Sequence, residues 1–189
     1  MASAFFYGTL MHPKVLQRVI QHKGAELEIC PAILLDYTRH RVKRAEYPGI
    51  IPYEQGRALC DRELEAEEKT VRGTLVTGLS QKDMEILDIF EGSEYIRRGI
   101  EVHPLGPLVK LLEYPIDDEG LIPSKPPALP PVSGLAPPIK AETYVYDLSQ
   151  VKRLEPELWS FEEFVKKNAW KWYGEQLPDE DVRWAGGEA

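Results

Sequence analysis

Proline is distributed very unevenly along this chain of 189 residues: ten of its 16 prolines fall between Pro104 and Pro138. Proline has no backbone N–H and a fixed φ, so this stretch can form neither a helix interior nor a central strand. The packed structure must therefore be built from the residues before and after it. We predict a single domain over residues 1–175, interrupted by a Pro-rich insertion at about 104–139, and a flexible C-terminal tail at 176–189.

Composition and charge narrow the class of protein. Hydrophobic residues make up 43% and charged residues 29% of the chain, as in ordinary globular proteins, which excludes wholesale disorder. The formal net charge of −8 argues against a nucleic-acid partner, because binding phosphates needs a basic face. No apolar run reaches the ~18 residues of a membrane helix, and the N-terminus lacks the basic start of a signal peptide. We therefore expect a cytoplasmic protein that binds neither nucleic acid nor membranes.

Period-two alternation and short apolar runs predict strands at 3–7, 71–77, 95–103 and 141–147. A further strand at 26–37 is irregular because a proline interrupts it. About five or six strands that do not alternate strictly with helices favour an α+β fold. Many short strands around one apolar core favour a small barrel or a strongly coiled sheet.

Three helices are predicted beside these strands. Pro13 suits the first turn of a helix that Gly24 closes. Ser80 begins a second helix with a capping-box pattern, and this helix ends at Glu91. An amphipathic pattern predicts the third helix over 159–170.

The segment 38–44 carries a cluster of basic residues. We interpret it as the solvated end of the strand at 26–37, because a basic cluster is more often a wet face than a site.

Familiar catalytic and cofactor motifs do not occur in the sequence. There is no GxGxxG, no P-loop and no GxSxG. The four histidines show no metal-ligand spacing, and neither Cys30 nor Cys60 has a catalytic signature, so we expect no metal site. If the protein is an enzyme, a lone acid–base carboxyl group with backbone donors is the most economical arrangement.

The segment Tyr7-Gly8-Thr9-Leu10 joins a predicted buried strand to a predicted helix. Gly8 lets a ligand approach the main chain, and a turn of this kind can present successive backbone N–H groups. Such donors suit a carboxylate, or an oxyanion that forms on a carbonyl. A purely structural turn has the same pattern, so the residues alone leave both interpretations open.

Glu91 is predicted at the C-terminal end of a helix whose other face is apolar. The helix dipole and partial burial both disfavour negative charge there, and both raise the pKa of a carboxyl group. A raised pKa is useful for proton transfer near neutral pH. The alternative is a surface glutamate before the glycine that ends a helix.

Five short motifs follow one another in a characteristic order. They are FFYGTLM at 5–11, YPGIIP at 47–52, GTLV at 73–76, LDIFEGSEY at 87–95 and AETYVY at 141–146. In this order they resemble the gamma-glutamylcyclotransferase-like family, and within it the plant and fungal avirulence-induced-gene branch.

The resemblance implies a small mixed-strand β-barrel flanked by helices, with a pocket between the Tyr7-Gly8-Thr9-Leu10 loop and a catalytic Glu91. Tyr47 and Tyr95 match pocket-lining, substrate-binding positions of the family. Members release 5-oxoproline from a gamma-glutamyl amide by attack of the substrate's own α-amine on its γ-carbonyl, without a metal or an organic cofactor. The resemblance thus implies a cofactor-independent acyltransferase or lyase with Glu91 as general base and acid. Its partner would be a small molecule with a gamma-glutamyl or similar amide group, and we expect a monomer or weak dimer.

Two other functions stay open on the same fold. One is an enzyme that uses Glu91 for a different cyclisation or proton transfer in a biosynthetic pathway, and the other is a non-catalytic small-ligand-binding protein. The insertion at 104–139 also has three interpretations, namely a lid over the pocket, a polyproline docking segment or an inert loop.

Overall fold

The computed structural model describes residues 1–45, 47–114 and 127–159, which contain nine strands and three α-helices. The strands are β1 (Ala2–Phe6), β2 (Glu28–Leu35), β3 (Tyr37–Val42), β4 (Pro48–Pro52), β5 (Thr70–Leu79), β6 (Tyr95–Pro104), β7 (Val109–Lys110), β8 (Ile139–Tyr146) and β9 (Leu154–Leu158). The helices are α1 (Pro13–Ile20), α2 (Tyr53–Cys60) and α3 (Gln81–Glu91). No helix in these ranges combines the length and the apolar character needed to cross a membrane.

Five strands close into a barrel in the order β5–β1–β8–β6–β2, and β2 pairs in turn with β5. The β1–β8 pair is parallel and the other four barrel pairs are antiparallel, so strand directions are mixed. The predicted α+β fold, a small mixed-strand β-barrel flanked by helices, is confirmed.

Alternation along β1 divides its side chains between two cores. Phe5 packs in a cluster to which all five barrel strands contribute. Ala4 and Phe6 pack in a second cluster, together with Leu16 of α1 and Leu87 of α3. Full burial of a leucine side chain contributes roughly 1.5–3 kcal/mol, so this second cluster holds α1 and α3 on the barrel. The chain that follows β1 and the end of α3 consequently lie close together.

The sequence suggested that a proline interrupts this strand, but β2 is not interrupted. Pro31 lies inside a continuous strand that pairs with β5 over its whole length. On the other edge of β2, the ladder with β6 ends at Pro104, and Leu105 donates its N–H to the carbonyl of Pro31 at 2.8 Å. The nitrogen and the carbonyl of one strand residue face the same edge of the strand, so the nitrogen of Pro31 faces β6. The ladder between β2 and β6 has ended at this point. The missing N–H of Pro31 therefore costs no hydrogen bond between the strands.

A second sheet, in the order β4–β3–β9, packs against the end of β8. Val42, Ile51 and Tyr146 share a buried cluster between them. This sheet brings the start of β4 to the rim of the barrel.

The segment 38–44 lies partly in a separate strand and is only partly solvated: Arg41, Lys43 and Arg44 are exposed, as predicted, but its first three residues are not. Asp36, with φ of 61°, separates β2 from β3, in which Thr38, Arg39 and His40 are all buried. Their polar groups find partners inside the protein: Thr38 Oγ1 lies 2.8 Å from His40 Nε2, and the Arg39 guanidinium donates to main-chain carbonyls. Burial is tolerated because these hydrogen bonds replace those with water.

The helices differ from prediction in detail. Helix α1 ends at Ile20 rather than at Gly24, because Gln21 adopts a left-handed conformation with φ of 64°. Helix α2 was not predicted. The predicted helix at 159–170 lies almost entirely outside the described residues, and so does the predicted tail at 176–189.

The described parts of the Pro-rich insertion rest on the barrel. Strand β7 pairs antiparallel with the start of β2, and Leu111 after it is fully buried in the same core as α1 and α3. Further along, Arg72 Nη2 donates to the Pro127 carbonyl at 2.6 Å, and His103 Nδ1 lies 2.8 Å from the carbonyl of Ala136. The insertion is therefore packed into the core near its start and hydrogen-bonded to the barrel near its end.

Candidate active site

A pocket of about 390 Å³, open to solvent, lies where the chain leaves β1 and α3 ends. It is lined by Phe5, Phe6, Tyr7, Gly8, Thr9, Leu10, Tyr47, Pro48, Phe90, Glu91, Tyr95 and Tyr144. All seven residues that we predicted for the site line this one pocket, although they come from three separate stretches of the sequence, namely 7–10, 47 and 91–95.

The loop after β1 presents unpaired backbone donors. Residues Thr9–Met11 form one 3-10 turn, closed by a 3.0 Å hydrogen bond from the N–H of Met11 to the carbonyl of Gly8. Among the hydrogen bonds of the described residues, none uses the N–H of Gly8, Thr9 or Leu10. These three groups can donate to a ligand with negative charge.

Tyr7 is fixed at both its side chain and its main chain. Its hydroxyl donates to the carbonyl of Tyr144 at 2.5 Å, which ties the loop to β8. Its own carbonyl accepts from Arg39 Nη1 at 3.1 Å. Burial, and then the negative charge of Glu91, raise the pKa of Tyr7 well above the usual value, so its hydroxyl stays protonated at neutral pH.

Helix α3 places Glu91 at its last position. The helix begins with the predicted capping box, in which Ser80 Oγ accepts from the Asp83 N–H at 3.2 Å and the Asp83 carboxylate accepts from the Ser80 N–H at 2.8 Å. It ends because Gly92 takes φ of 73°, and the Gly92 N–H donates to the carbonyl of Asp88 at 3.2 Å. The reversal at Gly92 leaves the Glu91 side chain at the pocket wall.

Glu91 lines the pocket together with apolar and aromatic residues, including Phe90 and Tyr144. Burial raises the pKa of Glu91 to about 8. The position at a helix C-terminus acts in the same direction. The residue as a whole keeps partial exposure, as access from the pocket requires. Such a carboxyl group can accept and release a proton near neutral pH.

Tyr47 and Tyr95 also line the pocket, with ring centroids 6.3 Å apart. The Tyr95 hydroxyl donates to the Pro48 carbonyl at 2.8 Å, and the Tyr47 hydroxyl donates to Glu94 Oε2 at 2.7 Å. Glu94 is buried and also pairs with Arg153. Because both hydroxyl protons are already donated to the protein, these tyrosines offer a ligand ring faces and oxygen lone pairs.

Five lining residues were not predicted as part of the site: Phe5, Phe6, Pro48, Phe90 and Tyr144. All five lie within the family motifs given above, so motif position could have indicated them. Tyr144 also reaches α3, since its hydroxyl donates to Asp88 Oδ1 at 2.9 Å.

Possible metal ligands are not gathered together in the part of the chain that is described. Residues 1–45, 47–114 and 127–159 contain no group of three or more His, Cys, Asp or Glu side chains placed to hold a metal ion.

A family model matches most of the sequence. The chain belongs to the family described as "Gamma-glutamyl cyclotransferase, AIG2-like", whose model matches residues 4–161. The match extends over most of the chain and includes every residue that lines the pocket.

Particular relatives come from Arabidopsis thaliana. Protein AIG2 C is 27% identical over 100 residues, covering 53% of this chain and 51% of the relative. Protein AIG2 B is 31% identical over 98 residues, covering 52% of this chain and 48% of the relative. The chain thus spans about half the length of the curated relatives it matches. A solution structure of another Arabidopsis thaliana protein has a TM-score of 0.54 at 22% identity, covering 90% of this chain and 76% of that one, and supports the fold.

Proposed function

We propose that this protein is a gamma-glutamyl cyclotransferase, which releases 5-oxoproline and an amine from a small gamma-glutamyl amide. The α-amine nitrogen of the substrate attacks the γ-carbonyl carbon, and a new C–N bond closes the five-membered ring. The bond from that carbon to the leaving nitrogen breaks. One proton leaves the attacking nitrogen and one reaches the departing amine, so the step is balanced without an oxidant or an added water.

The observation that carries this proposal is the carboxyl of Glu91, whose pKa burial raises to about 8, in a pocket lined largely by aromatic rings. As the base, ionised Glu91 takes the proton from the attacking amine. As the acid, the same group returns a proton to the leaving nitrogen. A carboxyl of ordinary pKa would be a weak base for the first transfer, and a group that is never ionised could not start it.

The reaction also requires stabilisation of negative charge, which the backbone donors of the loop after β1 can supply. Attack on the γ-carbonyl builds negative charge on its oxygen, and the unpaired N–H groups of Gly8, Thr9 and Leu10 can stabilise that charge or hold the substrate carboxylate. Since these groups act through the main chain, the side chains of Thr9 and Leu10 need not take part. The walls formed by Tyr7, Tyr47 and Tyr95 would bind and orient the gamma-glutamyl group.

The reaction is intramolecular, so much of its acceleration can come from holding the amine near the carbonyl. Neither a metal nor an organic cofactor is needed for the steps above. We propose that the enzyme acts on a free small molecule, in the cytoplasm, as a monomer or weak dimer.

Turnover under substrate excess tests the proposal. The purified full chain is incubated with a panel of glutathione, gamma-glutamyl-ε-lysine and simple gamma-glutamyl amines, and 5-oxoproline is quantified by chromatography. We expect many equivalents of 5-oxoproline per protein for at least one compound. Stoichiometric binding without 5-oxoproline would contradict the proposal and favour a ligand-binding protein. Conversion to another cyclic product would favour a different cyclisation at the same carboxyl.

A further inference from the structure

A buried arginine lies behind the loop that lines the pocket. Arg39 of β3 has only 8% of its surface exposed, and its Nη1 donates to the carbonyls of Tyr7 at 3.1 Å and Arg72 at 3.0 Å. It is not one of the residues that line the pocket. Arg39 therefore contacts the loop that lines the pocket through the main-chain carbonyl of Tyr7.

The guanidinium of Arg39 is held in place by an aromatic ring. Its Cζ lies 4.3 Å from the centroid of the Trp159 ring, within the range of a cation–π interaction. The same pair is joined along the main chain, because the N–H of Trp159 donates to the carbonyl of Arg39 at 2.7 Å. A planar cation fixed by stacking and by two carbonyls has little freedom to move.

The fixed position of Arg39 also determines the orientation of the Tyr7–Gly8 peptide, because peptide units are planar. The carbonyl of Tyr7 and the N–H of Gly8 belong to one planar trans unit and point in opposite directions. A hydrogen bond from Arg39 to that carbonyl therefore fixes the direction of the Gly8 N–H, away from Arg39. The Tyr7 hydroxyl bond to Tyr144 prevents the residue from turning as a whole. Gly8 itself lines the pocket.

We propose that Arg39 is a positioning residue, which holds the Tyr7–Gly8 peptide so that the Gly8 N–H is presented to a negatively charged group of the substrate. The identity of that group, a carboxylate or an oxyanion, rests on the proposed function, whereas the orientation of the peptide does not. Lysine would change this contact, because an ammonium group is a compact point charge without the planar face that stacks on the Trp159 ring.

The orientation is tested first without any substrate. Arg39→Lys keeps the charge but changes the donor geometry, and Arg41→Lys is the matched control on the same strand, where Arg41 is exposed. In spectra of ¹⁵N-labelled full-length protein, we expect the amide resonance of Gly8 to shift or broaden in Arg39→Lys and to stay unchanged in Arg41→Lys. If Arg39→Lys does not fold, Trp159→Leu, which removes the stacked ring, should move the same resonance. An unchanged Gly8 resonance in a folded variant overturns the inference.

The functional part is tested with whichever gamma-glutamyl compound the wild type converts. We expect Arg39→Lys to lower kcat/KM by about tenfold, since the donors are displaced rather than removed. The loss appears in kcat if the bound group is the oxyanion and in KM if it is the carboxylate. A Gly8 shift with wild-type kcat/KM would contradict a role in catalysis. If the wild type converts nothing, the proposed function fails, and the Gly8 resonance still decides whether Arg39 orients the peptide.

Discussion

The hydroxyl of Tyr144 donates a hydrogen bond to Asp88 Oδ1 at 2.9 Å, and so joins β8 to the last turn of α3. Asp88 precedes Glu91 by three residues, which places both on the same side of the helix. Tyr144 also accepts, through its carbonyl, the bond from the Tyr7 hydroxyl. One residue of β8 thus contacts both the helix that carries the carboxyl group and the loop that carries the backbone donors.

Replacing Tyr144 by phenylalanine should loosen the site while keeping the fold. The ring still fills the wall, but the bond to Asp88 is lost, at a cost of about 1 kcal/mol in the free energy of unfolding. Because the position of Glu91 is then less well defined, we expect kcat/KM to fall roughly tenfold. Tyr53→Phe is the control, since the Tyr53 hydroxyl donates to the exposed Glu63 at 3.3 Å and Tyr53 does not line the pocket. Equal activity of the two variants would show that the bond to Asp88 does not position Glu91.

Ionisation of Glu91 should destabilise the folded protein. Burial raises the pKa of Glu91 to about 8, whereas an unfolded glutamate has a pKa near ~4.3, so the folded state binds the extra proton between these values. Stability from this group is therefore lost as the pH rises from about 4 to about 8 and is constant above that range.

Glu91→Gln removes this ionisation. The variant should gain roughly 2–3 kcal/mol relative to the wild type between about pH 5.5 and about pH 8.5, measured by urea denaturation. Glu85→Gln, at an exposed position of the same helix, should show no such gain. A difference between Glu91→Gln and wild type that does not vary with pH would mean that Glu91 ionises as an exposed carboxylate does.

The catalytic rate should rise with pH over the range in which the stability of the folded protein falls. The base that starts the reaction is ionised Glu91, whose fraction rises as the pH approaches its pKa of about 8. We therefore expect kcat/KM to increase about tenfold per pH unit below this value and to level off above it. Initial rates of 5-oxoproline release over the pH range measure this limb. A rate that is already maximal near pH 6 would be inconsistent with a base of this pKa.

Gly8→Ala should reduce the space in the pocket without destabilising the fold. A Cβ at Gly8 would meet Pro48 Cδ at 3.6 Å, an ordinary contact, so we expect a stability change below about 1 kcal/mol. The methyl group would nevertheless occupy pocket space beside Pro48 and should raise KM several-fold. Gly49→Ala is the contrasting variant, because its Cβ would lie 2.8 Å from the Tyr146 ring and should destabilise the fold by about 1–3 kcal/mol. Both are compared by thermal unfolding and by initial rates.

Local sequence signals predicted the elements that form the pocket. The capping box at Ser80 and the glycine after Glu91 place a helix end correctly, because both depend on interactions within a few residues. The strand before Tyr7 and the turn at Gly8 are local in the same sense. The motifs shared with the family then indicated that these pieces meet.

What the sequence did not predict depends on contacts between distant residues. The sequence around Arg39 predicts a solvated cation. In the structure its partners are instead the carbonyls of Tyr7 and Arg72 and the ring of Trp159. The place of Tyr144 in the pocket likewise depends on Asp88, 56 residues away. Hydrogen bonds of this kind follow from the closure of the barrel, which hydrophobic periodicity does not specify.

Glu91→Gln tests the central role of the carboxyl group most directly. The amide keeps the size of the side chain and removes its ability to accept a proton. With the best substrate of the panel, we expect release of 5-oxoproline to fall by about a hundredfold or more, while the variant stays folded and Glu85→Gln remains at the wild-type rate. Wild-type turnover by a folded Glu91→Gln protein would contradict the assignment of Glu91 as the catalytic base and acid.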